Sequence, residues 1–129
     1  MLAVPAAEIP EPEPAWAAEF KWDGVRAVAY VSAGRLRLVS RSDRDMTRAY
    51  PELAELAGQG GPGNMVLDGE IAAFADGRPS FAALQRRMHV GAPSPGLVAA
   101  VPVTYLVFDI MHLDGRPLIS EPYAQRRAI

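Results

Sequence analysis

An α+β domain, with mostly antiparallel sheets and short flanking helices, is the architecture this sequence predicts, and three observations carry it. Apolar runs of strand length recur along the 129 residues. Tight turn signals at Ser32-Ala33-Gly34, Asp76-Gly77 and Asp114-Gly115 fold a strand back on its neighbour. The helical stretches between the strands are short and do not alternate regularly with them, which argues against a doubly wound parallel sheet.

In chain order, Pro5 to Pro14 holds four prolines and three glutamates, so residues 1–15 read as an extended lead-in. Trp16 to Trp22 suits a strand. Val25 to Val31 and Leu36 to Arg41 form a probable hairpin across Ser32-Ala33-Gly34; Leu36 and Leu38 alternate with Arg35, Arg37 and Arg41, giving one apolar and one cationic face. Tyr50 to Gly58 predicts a short helix, with Pro51 in its first turn and a glycine at its end. Gly58 to Gly63 is a flexible loop. Met65 to Phe74 predicts a strand, and Ser80 can cap a helix running to about Met88. Gly91 to Gly96 reads as a loop. Val101 to Met111 is the most hydrophobic strand and turns at Asp114-Gly115 into a short partner. A helix begins near Pro122.

Half the residues are hydrophobic and 22% are charged, enough apolar material for one domain core. With no cysteine, disulfides and thiolate metal sites are excluded. No apolar run predicts a membrane span and no segment resembles a signal peptide, so a cytoplasmic protein without a membrane partner is expected. The net charge of −2 is unevenly spread. Residues 8–19 carry four glutamates and no base, whereas residues 21–48 carry seven bases against three acids. A basic zone suits a polyphosphate or nucleic-acid backbone, and equally a hairpin with solvated arginines.

Lys21 is the only lysine, against twelve arginines. Arginine stays charged, whereas a lysine amine that loses its proton becomes a nucleophile. The surrounding hexapeptide Lys21-Trp22-Asp23-Gly24-Val25-Arg26 offers what such an amine needs. Phe20 and Trp22 offer partial desolvation, Arg26 a neighbouring cation, Asp23 a hydrogen-bond partner, and Gly24 a tight backbone turn. Downstream stand Ser40-Arg41-Ser42, Leu67-Asp68-Gly69-Glu70, and Phe108-Asp109-Ile110 with Leu113-Asp114-Gly115. Glu70, in a hydrophobic strand, needs partners if buried. Phe108 fits a core position as well as a stacking platform. His89 and His112 have no partner at metal-ligand spacing.

Taken in this order, these motifs resemble the covalent nucleotidyltransferases, in particular ATP-dependent DNA ligases and the ligase domain of bacterial ligase D. Trp16 to Gly24, Pro79-Ser80-Phe81, Leu84-Gln85-Arg86-Arg87 and Tyr123 to Arg127 add to the likeness. The resemblance implies a partial nucleotidyltransferase (ATP-grasp-like) domain over residues 16–129. It implies that Lys21 attacks the α-phosphorus of ATP to form a lysine–AMP phosphoramidate, with Asp23 orienting the amine. Glu19 and Phe20 would line the adenine pocket, Arg26 and Arg41 would hold the ribose and phosphate side, and Phe108 would stack on adenine. Glu70 would contact the ribose or a divalent metal, Mg²⁺ or Mn²⁺. The partners implied are nicked or broken double-stranded DNA, the rest of the ligase with its oligonucleotide-binding-fold (OB-fold) domain, and end-joining repair proteins. The setting implied is a bacterial cytoplasm, close to the nucleoid.

Asp43 stands where the family usually has glycine, so the turn that aims Arg41 is expected to bend through a left-handed aspartate. The chain is expected to stop short of the family's downstream glutamate and paired-lysine motifs, and to seal DNA weakly or not at all by itself. Three further readings remain open on the residues: an RNA ligase or capping-type enzyme, a non-catalytic nucleic-acid-binding fragment, and an incomplete fragment that associates with itself to cover an exposed sheet.

Overall fold

A computed structural model describes residues 6–8, 10–11, 16–59 and 63–129. Most of the expected lead-in, and the centre of the loop after Gly58, lie outside the described residues. The fold is an antiparallel sheet flanked by short helices, as its class predicted. Its strands are β1 (Val25–Ser32), β2 (Arg35–Ser40), β3 (Met65–Ala75), β4 (Arg78–Pro79), β5 (Val103–Leu113) and β6 (Arg116–Pro117). They pair in the order β2-β1-β3-β5-β6, and β4 folds back on β3. The helices α1 (Leu56–Gln59), α2 (Phe81–Gln85), α3 (Pro95–Ala100) and α4 (Tyr123–Arg127) are each six residues or fewer. Among the described residues no helix is long and apolar enough to cross a membrane.

Strand alternation divides the sheet into two unlike faces. Ala27, Ala29, Leu38, Leu67 and Ile71 point to the helix side, where Tyr50, Leu53, Leu84 and Val101 complete the core. Arg26, Asp68 and Glu70 therefore point the other way, with Arg26 directly opposite Glu70 in the β1–β3 ladder. On the core side, the Tyr105 ring lies over Gly69, where a Cβ would come within 2.6 Å of it. Its hydroxyl donates to the Ala27 carbonyl at 2.8 Å. Burial foremost pushes that phenol upward, so it stays a donor. Gly69 thus makes room for a ring on one face while its neighbours Asp68 and Glu70 serve the other.

The turns behave as their residues dictate. Ala33, Asp76 and Asp114 take positive φ ahead of Gly34, Gly77 and Gly115, as two-residue hairpins require. Asp43 does adopt the left-handed conformation expected of it, with φ 60°. Ser80 caps α2 by accepting from the Ala83 N–H at 3.2 Å.

Five expectations need correction. Trp16 to Trp22 forms no strand: residues 16–23 have no regular structure, and β1 starts only at Val25. Large apolar residues at 16, 20 and 22 imitate a half-buried strand, yet Phe20 is 83% exposed and no backbone lies alongside to pair with. The 50–58 helix begins as a 3₁₀ stretch over Pro51–Glu55 before α1, and the helix capped by Ser80 ends at Gln85 before looser turns reach Met88. Gly91 to Gly96 is not all loop. Ser94 accepts from the Leu97 N–H at 3.3 Å and Pro95 follows at the first helical position, so α3 starts there. The most hydrophobic strand runs two residues later than expected, from Val103 to Leu113.

Candidate active site

The open face of the sheet assembles most of the residues singled out in the sequence. Its foundation is the close approach of Gly24 to β3. A Cβ at Gly24 would sit 2.2 Å from the Ile71 carbonyl oxygen and 2.9 Å from Glu70 Cγ, so only glycine fits. The Gly24 backbone N–H lies on the Glu70 side and favours that group's charged form. That contact brings the Lys21–Asp23 segment beside the middle of β3, at Glu70 and Ile71.

At the segment's turn, Lys21 Nζ pairs with Asp23 Oδ1. The orienting role expected of Asp23 has its geometry here. The desolvation expected from Phe20 and Trp22 does not occur: the Lys21 side chain is 75% exposed. Phe20 packs against Trp22, with ring centroids 5.7 Å apart. The hydrogen bond and charge of Asp23 raise the lysine pKa above its ordinary value, with Glu70 adding to the effect. Lys21 thus stands as an ammonium ion. The reading that neighbours lower its pKa in the free chain is overturned.

Glu70 is half-buried and its carboxyl is shifted upward, chiefly by burial, while Gly24, Arg26 and Lys21 pull it down. Beside it, Arg26 makes a two-pronged bond to Asp68, Nε to Oδ1 at 3.0 Å and Nη2 to Oδ2 at 2.6 Å. The same guanidinium lies 5.3 Å from the centre of the Phe108 ring. A bulge produces this contact: Asp68 faces Asp109 and Gly69 faces Val107, so Phe108 is the extra residue on β5. Arg41 stands just past Ser40, which pairs with Ala27, leaving it at the same end of the hairpin as Arg26. Ser40 supports the turn beyond Arg41, its Oγ accepting from the Arg44 N–H at 3.1 Å.

Glu19 is tied to α4 beside the Phe108 bulge. Its carboxylate accepts from the Tyr123 hydroxyl on α4 and lies 3.5 Å from Arg127 Nε. Tyr123 also bonds the Phe108 carbonyl at 3.0 Å. Burial first, then Glu19, pushes the Tyr123 phenol up to about 12. Next to it Arg126 grips both Asp109 oxygens, at 2.7 and 2.8 Å. Sequence reasoning assigned no role to Asp68, Asp109, Tyr123 or Arg126. The available signal was their recurrence inside Leu67-Asp68-Gly69-Glu70, Phe108-Asp109-Ile110 and Tyr123 to Arg127.

For a divalent metal, the described residues contain no group of three or more His, Asp or Glu side chains that could hold one. Asp68 is occupied by Arg26, so Glu70 is the carboxylate at hand. That set fits Mg²⁺ or Mn²⁺ only in the manner usual for nucleotide sites, where one carboxylate shares the ion with phosphates and water.

Comparison with known proteins agrees with the fold and motifs. The family model described as "ATP dependent DNA ligase domain" matches residues 1–129. The chain is 36% identical to DNA ligase C2 of Mycolicibacterium smegmatis over 129 residues, covering 99% of this chain and 36% of that protein. It is 38% identical to the multifunctional non-homologous end joining DNA repair protein LigD of Mycobacterium tuberculosis, covering 88% of this chain and 14% of that one. Among solved structures, a mycobacterial DNA ligase D complexed with ATP and MES matches with a TM-score of 0.73 and 37% identity, over 85% of this chain and 34% of that chain. The chain therefore spans about a third or less of the length of these relatives.

Proposed function

The chain belongs to the ATP-dependent DNA ligase domain family, and on that premise we propose that it carries the lysine that accepts AMP from ATP. The observation behind this reading is the Lys21–Asp23 pair, held over Glu70 by the Gly24 contact and flanked by Arg26 and Phe108 on one face. The similar ligase D structure described as complexed with ATP supports the choice of nucleotide.

In the proposed reaction the Lys21 ammonium gives up a proton, with Asp23 as the nearest acceptor. The freed amine attacks the α-phosphorus, an N–P bond forms, and the bond to the bridging oxygen breaks as pyrophosphate leaves. Because Asp23 favours the ammonium, bound ATP and pH must overcome that preference before attack. Arg26 and Arg41 would face ribose and phosphate oxygens, for which a guanidinium fork is suited. Phe108 would take the adenine face, and Glu19 and Phe20 the pocket edge. A divalent ion shared by Glu70 and the phosphates would neutralise charge on the departing group.

AMP would then pass to a DNA 5′-phosphate, regenerating the lysine, and attack by a neighbouring 3′-hydroxyl would release AMP and seal the strand. We assign those later steps to a ligase of the relatives' length, acting on nicked or broken double-stranded DNA with the OB-fold domain and end-joining proteins.

Incubation with ATP labelled at the α-phosphate plus Mg²⁺, followed by denaturing electrophoresis, tests the reading. Wild type should take one label that GTP competes for poorly, at a rate rising with pH through neutrality. Lys21→Ala should lower labelling by about a thousandfold or more, the scale of removing a covalent nucleophile. Labelling that survives this substitution would sink the assignment.

A further inference from the structure

The segment from Trp16 to Asp23 carries the candidate nucleophile yet joins no strand pairing among the described residues. Something other than a β-ladder has to hold it. On one side it is fixed by Gly24 against β3. On the other, its tie to the body of the fold runs through Glu19, two residues before Lys21, to Tyr123 and Arg127 on α4. Helix α4 is itself fixed, since Arg126 grips Asp109 with both prongs and donates to the Glu121 carbonyl.

The Tyr123 hydroxyl occupies a particular place in this arrangement. It reaches both the Glu19 carboxylate and the Phe108 carbonyl. The first belongs to the segment bearing Lys21, and the second to the bulge whose side chain stacks on Arg26. Its single proton is shared between these two acceptors, so one hydroxyl spans the amine's segment and the expected adenine platform. The Arg127–Glu19 contact is longer and more exposed, and pairs of that kind contribute little.

We infer that Tyr123 is a positioning residue, whose hydroxyl holds the Lys21 segment against the Phe108 bulge and so aims the amine for transfer. This rests on the reading of Lys21 as the AMP acceptor, and goes beyond it by naming what orders the nucleophile's segment. Tyr123 does not touch the reacting atoms; it acts through Glu19 and the bulge.

The chain offers its own probe. Its two tryptophans, Trp16 and Trp22, both lie in this segment, so intrinsic fluorescence reports on that segment alone. Tyr123→Phe removes the hydroxyl while keeping the ring on which Arg126 stacks at 5.6 Å. The variant should unfold at the same urea concentration as wild type within error. Its tryptophan anisotropy should fall, and acrylamide quenching should rise about twofold, as expected for a segment freed from its one strong tether. Labelling by ATP at Lys21 should slow by about tenfold, the value of one hydrogen bond to a charged group. Glu19→Ala should change the tryptophan signals in the same way and add nothing in the Tyr123→Phe background, because both break one contact.

Unchanged tryptophan mobility in Tyr123→Phe would overturn the inference, whatever happened to labelling. So would looser tryptophans with labelling at the wild-type rate, since the tether would then not aim the amine. If the wild-type chain takes no label while both variants free the tryptophans without additivity, the tether stands and the Lys21 assignment is what fails.

Discussion

Two arginine–carboxylate pairs, one on each face of the sheet, show how the same chemistry serves structure on one side and a site on the other. Arg87, behind the sheet, is fully buried. It bonds both Glu52 oxygens at 2.8 and 3.1 Å and the carbonyls of Val101 and Ala49 at 2.8 and 2.9 Å, leaving only its Nε without an acceptor. Four of its five donors are spent on holding the Ala49–Glu52 stretch to the end of α3. Arg26, on the open face, also binds its carboxylate with two prongs, but a third of its side chain stays exposed and its flat face rests on Phe108. The first is closed on every side. The second stays accessible to solvent from the open face.

That contrast breaks most sharply at Arg87. Replacing it by methionine strands Glu52 beside two carbonyls that lose their donor. The expected cost is about 3–5 kcal/mol, the scale for breaking a buried pair by deleting one partner. Urea unfolding followed by far-ultraviolet circular dichroism would measure it, and a loss under about 1 kcal/mol would mean the pair is not a brace.

A smaller effect of a different kind is expected at Arg26. Arg26→Ala leaves the buried Asp68 carboxylate unpaired, but water can enter from the open face, so the stability loss should be about 2 kcal/mol. Pairing the change with Asp68→Leu should recover most of that loss, because an apolar pair often substitutes for an ionic one. Labelling by ATP should not recover with it. Restored labelling in the double variant would place Arg26 among the structural residues, alongside Arg87.

The contrast also explains what could be read in advance. The fold class, the hairpins and the Ser80 cap follow from period-2 patterning and turn chemistry, which act within a few residues. Lys21 and Glu70 stand out because their residue types are chemically unusual in their settings, whereas the roles expected of Arg26 and Phe108 come from the family resemblance. The partners of those residues were not. Asp68 and Arg26 are separated by 42 positions, and Tyr123 and Glu19 by 104, so only the sheet register and the β5 bulge bring them together. The mistaken strand at Trp16 to Trp22 has the same root. Local pattern proposes a strand, but a ladder partner is a long-range fact, and here side chains from α4 hold the segment instead. The basic zone was legible as composition, yet part of it is internally spent: Arg37 pairs with Asp45 at 3.1 Å.

The finest test of the two-face view lies at Glu70, where site and stability should pull in opposite directions. Burial raises this carboxyl above its ordinary value of 4.5, so the folded chain holds that proton more tightly than the unfolded one does. As pH climbs from the ordinary value through the raised one, folding loses stability, and above that window the full penalty is present. Glu70→Gln carries no charge to bury and still offers an oxygen to the Gly24 N–H. The variant should therefore be more stable at neutral pH, by about 0.5 kcal/mol once solvent screening of a half-exposed group is allowed for. The two proteins should converge near about pH 4, where both side chains are neutral. Urea midpoints at the two pH values would decide it. An equal or lower midpoint for the variant at neutral pH would show that Gly24, Arg26 and Lys21 already compensate the carboxylate. A gain in stability accompanied by loss of labelling would mark Glu70 as a residue kept for what it binds rather than for what it holds together.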